Sequence, residues 1–148
     1  MNTKELYKII ILSVLLLTLM SCASVKGHSI YNPRVSYRLV ITSGLAENKY
    51  PIDKLDSIPI DLEKFIIFVQ WFHIATTNHN CLWELYNNDG EIVHTSSYEF
   101  IPNQNSWNAW TTYYFKQALD KPGEWRFVVY LDGIKHIDSK IQVVAPGK

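Results

Sequence analysis

From about residue 36 onward, apolar and polar residues alternate in short runs, and each run is closed by glycine, proline, asparagine or aspartate. Period two marks a strand with one buried face, because successive side chains point to opposite sides of a sheet. The last third shows it most clearly. Trp125, Phe127, Val129 and Leu131 fall on one face, and Arg126, Val128 and Tyr130 on the other. After Asp132-Gly133 the alternation resumes over 135–144. Ile137, Ser139, Ile141 and Val143 point inward there, and His136, Asp138, Lys140 and Gln142 outward. Two period-two arms joined by Asp-Gly predict a tight β-hairpin.

The same pattern predicts further strands upstream. Residues 36–42 form a β-prone run ended by Ser43-Gly44. A stretch with Pro51, Asp53, Asp56, Pro59 and Asp61 has turn chemistry and little regular structure, except that Ile58, Ile60 and Leu62 alternate. Those three suit a short edge strand, since Pro59 cannot donate to a ladder. Residues 64–75 are apolar on both faces and dense in β-branched and aromatic residues, which predicts a central strand covered on both sides. Strands over 81–86 and 91–96 flank Asn87-Asn88-Asp89-Gly90, with Asp89-Gly90 expected to form a primed turn. After the polar loop 102–106, residues 107–115 give a strand with aromatics at both registers. A single helical turn fits 115–119, and Asp120-Lys121-Pro122-Gly123 is a turn. About seven or eight strands with no amphipathic helix among them predict an all-β, antiparallel sandwich of immunoglobulin-like type.

The N-terminus breaks this pattern. Lys4 and Lys8 precede an apolar run from Ile9 to Met20, interrupted only by Ser13 and Thr18. A basic start and a greasy segment of about a dozen residues, short of the roughly 20 needed to span a bilayer, read as a signal peptide helix. Leu19-Met20-Ser21-Cys22 resembles the lipobox of bacterial lipoproteins. The resemblance implies cleavage before Cys22 and lipidation of its thiol, so that a lipid bilayer is the first expected partner. Three segments follow: a signal peptide over 1–21, the lipidated cysteine and a flexible tether over 22–33, and a sandwich over 34–148. Ala23 stands where inner-membrane lipoproteins of enteric bacteria carry aspartate. The resemblance therefore implies a lipid-anchored protein of the cell membrane, at the outer membrane in a Gram-negative cell.

A second resemblance lies further on. Trp83 with its hairpin, Trp107 and Trp110, Pro122-Gly123-Glu124-Trp125 and Tyr130-Leu131-Asp132-Gly133 are similar, over about 65–144, to uncharacterised bacterial immunoglobulin-like domains. That similarity implies a fold and carries no active site.

Charge and chemistry narrow the function classes. The net charge is zero and no basic stretch occurs, which excludes the clustered cations of a nucleic-acid binder. There are two cysteines. With Cys22 lipidated, Cys81 has no partner for a disulfide and reads as a buried core residue. No nucleophile elbow, glycine-rich phosphate loop or compact metal-ligand spacing appears, so no catalytic residue, metal or other cofactor is assigned. His73, His79 and His94 could meet at one end of a sandwich, where they would make a small metal-dependent hydrolase, the less favoured reading. Asp53, Asp56, Asp61 and Glu63 lack the glycine of a calcium loop and read as a solvated acidic segment.

The aromatics exceed what one core needs. Trp83 and Trp125 share strand faces with apolar neighbours and are expected inside. Trp107 and Trp110, three apart, cannot share a face of a regular strand, so one is exposed or the strand bulges. Trp107, Trp110, Tyr113 and Tyr114 are thus the candidate ligand-binding residues, for a glycan or a peptide. The reading that results is a cell-envelope lipoprotein whose sandwich binds or scaffolds, partnered by a glycan or another envelope protein, without catalysing.

Overall fold

The computed structural model describes residues 35–116 and 118–146. The signal peptide, Cys22, the tether and both lipid-related assignments lie outside the described residues. Eight strands follow one another: β1 (Ser36–Thr42), β2 (Ser57–Pro59), β3 (Lys64–Phe72), β4 (His79–Tyr86), β5 (Ile92–Phe100), β6 (Ser106–Tyr114), β7 (Gly123–Leu131) and β8 (Ile134–Val144). They form two sheets, β1-β3-β6 and β2-β8-β7-β4-β5, in a sandwich-like arrangement. The chain is all-β, as its alternation predicts.

Both sheets point alternate side chains into one core. Phe65, Ile67, Val69 and Trp71 of β3 meet Trp83 and Leu85 of β4, and Trp125, Phe127 and Val129 of β7. Trp71 and Trp125 are fully buried and Trp83 is 1% exposed, so Trp83 and Trp125 are core as expected. The Trp125 indole donates to the Lys121 carbonyl at 3.0 Å, which pins the turn before β7. Gly123 in that turn has φ 151, and a Cβ there would lie 2.7 Å from the Asn88 side chain. Only glycine suits both conditions.

Three departures from the sequence pattern have local causes. The β2–β8 pair is parallel, not antiparallel, because the chain leaves the small sheet after β1 and lays β2 beside the last strand of the other sheet. Asp89 keeps a negative φ and only Gly90 is left-handed. That turn is therefore an ordinary one closed by a glycine bulge, with the Gly90 amide on the Asn87 carbonyl at 3.1 Å. Asp132 (φ 53) and Gly133 (φ 75) do form the expected primed turn, but the register slips between Val129 and Tyr130. The slip turns His136 toward the core side, edge-on to Trp71 with centroids 5.4 Å apart, where outward placement is expected from alternation. The Leu119 and Asp120 amides both bond the Lys116 carbonyl, in keeping with the single turn expected there, and no helix occurs among the described residues.

Candidate functional site

Strand β3 is apolar on both sides because each side has a cover. Its inner face lies in the main core. On the outer face Ile66 and Phe68 join Val40 of β1 in a second small cluster, against which Leu45 and Trp110 pack. The cover is the segment 43–53 between β1 and β2. Its residues have turn chemistry in the sequence, but the structure folds them back on themselves. Leu45 bridges Pro51, the Ala46 amide reaches the Tyr50 carbonyl at 2.9 Å, and Ile52 bonds Gly44 at 3.1 Å.

Asp53 locks the base of this loop. It accepts from the Thr42 hydroxyl at 2.5 Å, the Ser43 amide at 2.8 Å and the Ser43 hydroxyl at 2.5 Å. Slight burial pushes its carboxyl up, yet the hydrogen bonds from Ser43 and Thr42 prevail and hold it below its ordinary value. At the loop's tip Lys49 takes φ 65, a left-handed angle for a side chain with a Cβ. The loop thereby sets the Tyr50 ring 6.2 Å from that of Phe68, with Tyr50 itself 44% exposed.

Cross-strand register arranges the outer face in rows: Arg38-Gln70-Asn108, then Val40-Phe68-Trp110, then Thr42-Ile66-Thr112. Among the described residues, a series of three hollows starts at the β6 edge and continues across this face. The first, of about 350 Å³, lies among Tyr98, Trp107, Asn108 and Trp110. The second, of about 270 Å³, shares Trp107, Asn108 and Trp110 with it and adds Gln70, Asn103, Gln104, Lys49 and Tyr50. The third, of about 280 Å³, shares Tyr50 and continues to Arg38 and Ile52.

The pleat divides the four aromatics expected to form a strip. Trp107 and Tyr113 face the core. Trp107 stacks on Phe100 with centroids 5.1 Å apart, and Tyr113 is 3% exposed, its hydroxyl donating to Asp120. Trp110 and Tyr114 face outward, so only they share the outer surface of β6. Tyr114 sits beneath Lys64, whose ammonium is 5.5 Å from its ring. The alternation of β6 resolves the Trp107–Trp110 conflict without a bulge between them. Sequence reasoning missed Tyr50, Gln70, Asn103, Gln104 and Asn108. Gln70 carried a usable signal, being the one uncharged polar residue inside the apolar run of β3.

The other candidate groups do not meet. His79 is held by Asp132 at 2.7 Å through Nδ1 and by the Ala75 carbonyl at 2.9 Å through Nε2, so both ring nitrogens are engaged. His94 lies six residues further along the paired strands, its Nε2 2.8 Å from the Thr111 hydroxyl, where burial lowers its basicity. His73 contacts Ser36 at 3.3 Å. Asp56 pairs with Lys54 at 3.0 Å. Among the described residues no three metal-ligating side chains gather. Cys81 is wholly buried, and that burial pushes its thiol well above the ordinary range, away from nucleophile chemistry. In comparisons with known proteins, no family model matches the chain and no curated protein is similar to it.

Proposed function

We propose that this chain is a cell-envelope lipoprotein, anchored by lipid on Cys22, whose immunoglobulin-like sandwich is a non-catalytic binding module. The lipobox Leu19-Met20-Ser21-Cys22 supports the anchor, and two acyl chains would make it durable where one is marginal. The immunoglobulin-like assignment rests on strand order. β1, β3 and β6 take the places of strands A, B and E, while β8, β7, β4 and β5 take those of G, F, C and C′. Trp83 on β4 then stands on strand C, where that fold buries a tryptophan.

The observation that carries the binding reading is the outer face of β1-β3-β6: the half-exposed rings of Trp110 and Tyr50 beside a locked loop, with side-chain amides that have no hydrogen-bond partner among the described residues. Rigid aromatics on a preorganised surface favour association, because little conformational freedom is lost when a ligand arrives. Two measurements test the proposal. Intact mass of detergent-extracted protein should equal the chain from Cys22 plus a diacylglyceryl group, and Cys22→Ser should leave the protein unprocessed or soluble. A photo-crosslinker at position 50 of the full-length protein should form an adduct in native membranes, and one at position 130 should not. Attachment unchanged by Cys22→Ser would sink the anchor. Equal labelling at both positions, or none at either, would sink the binding face.

A further inference from the structure

We propose that the ligand of this face is a linear oligosaccharide lying across the three hollows, one sugar ring in each. The inference rests on the binding-module reading above and names its ligand class. Three observations lead to it. First, the hollows form a series in which each neighbour shares aromatic residues: Trp110 belongs to the first and second, Tyr50 to the second and third. Their volumes, about 350, 270 and 280 Å³, lie at or below the low end for pockets that hold a drug-sized molecule. A row of small, similar compartments separated by ring faces suits a polymer of small, similar units.

Second, the polar groups are of the right kind. Gln70, Asn103, Gln104 and Asn108 line the second hollow, and the side-chain amide of none of them is hydrogen-bonded within the described residues. Each amide offers both donors and an acceptor, which matches hydroxyl groups that are themselves both. The ring faces supply the complementary apolar contact for the C–H side of a pyranose.

Third, the centre of the face offers no backbone to an extended peptide, and the unpaired edges, those of β1 and β6, lie at its margins. β3 is paired on both sides, by β1 and β6, so its amides and carbonyls are taken. A peptide laid across the face, away from those margins, would bring its own unpaired main chain to side chains alone, a costly arrangement where contact excludes water. A sugar chain has no such requirement.

Calorimetry on the full-length protein in detergent, with cellohexaose, chitohexaose and hexagalacturonate as separate probes, tests the inference. At least one should bind saturably. Trp110→Ala should weaken that binding tenfold or more, and Asn108→Ala, which leaves both apolar clusters intact, several-fold. Tyr114→Ala, on the same strand and face but outside the hollows, should leave it unchanged. Binding by none of the three, or binding indifferent to both Trp110→Ala and Asn108→Ala, overturns the oligosaccharide. If none binds while the crosslinker at position 50 still captures a peptide, the ligand class falls and the binding face stands. If neither gives a signal, both fall together.

Discussion

The two outward faces of the sandwich are built from similar strands and could hardly differ more in chemistry. On the five-stranded sheet every prominent charge has a partner. Arg126 grips Asp138 with two nitrogens at 2.7 Å, Lys135 joins the same carboxylate at 2.8 Å, and Lys140 meets Glu124 at 2.6 Å. Tyr86 and Tyr130 donate to Glu84, and the Arg126 guanidinium lies over the Tyr86 ring. On the three-stranded sheet the rows of Arg38-Gln70-Asn108 and Val40-Phe68-Trp110 carry rings and amides with no such closure among the described residues. A surface that satisfies itself would have to break bonds to receive a ligand. A surface with unmet hydrogen-bonding capacity, held rigid by a locked loop, does not.

That contrast can be broken at three points. The largest effect belongs to Phe68, 1% exposed at the centre of the outer cluster. Phe68→Ala should destabilise the fold by about 3 kcal/mol in urea unfolding, comparable to truncation of a core aromatic. A loss below about 1 kcal/mol would mean that the loop covers this face loosely. Next comes Asp53→Ala, which removes three hydrogen bonds from a side chain open to solvent. With screening allowed for, it should cost about 1 kcal/mol. It should also speed amide exchange at Ser43, and unchanged exchange there would show that the loop needs no lock.

The smallest effect is expected on the paired face. Arg126 and Lys135 hold the Asp138 carboxyl far below its ordinary value, so the folded state keeps that group ionised more readily than the unfolded chain does. The resulting stability is present above the usual carboxylate pKa of about 4 and is lost as pH falls below it. Arg126→Gln should therefore lower the melting temperature slightly at pH 7, and the gap to the parent chain should close on acidification. A gap that widens below pH of about 4 would reverse the sign and place the stabilisation elsewhere.

Strand existence was legible in the sequence because period two survives wherever one face is buried. The β7–β8 hairpin follows from alternation on both sides of Asp132-Gly133, and the two-sided burial of β3 from an apolar run that only Gln70 interrupts. What the sequence left open depended on partners distant along the chain. Trp107 and Trp110 called for either opposite faces or a bulge, and the choice, with the face each takes, was set by β3 pairing regularly with β6, Trp71 opposite Trp107 and Phe68 opposite Trp110. The segment 43–53 read as irregular because its order comes from Asp53 reaching back ten and eleven residues to Ser43 and Thr42, a pattern no short window contains. His73, His79 and His94 could be grouped on a diagram of hairpins. Strand length keeps His79 and His94 apart, since six residues of extended chain span about 20 Å.

Cys81 is the one free cysteine among the described residues, and it is packed against the core from both sheets. The sandwich is thus held by contacts that form and dissolve without any covalent step. Its folding should be indifferent to the redox state of its surroundings, equally complete in a reducing cytosol and in an oxidising envelope. If Cys22 takes lipid as proposed, that burial has a practical side: the Cys81 thiol is shut away from any chemistry at position 22.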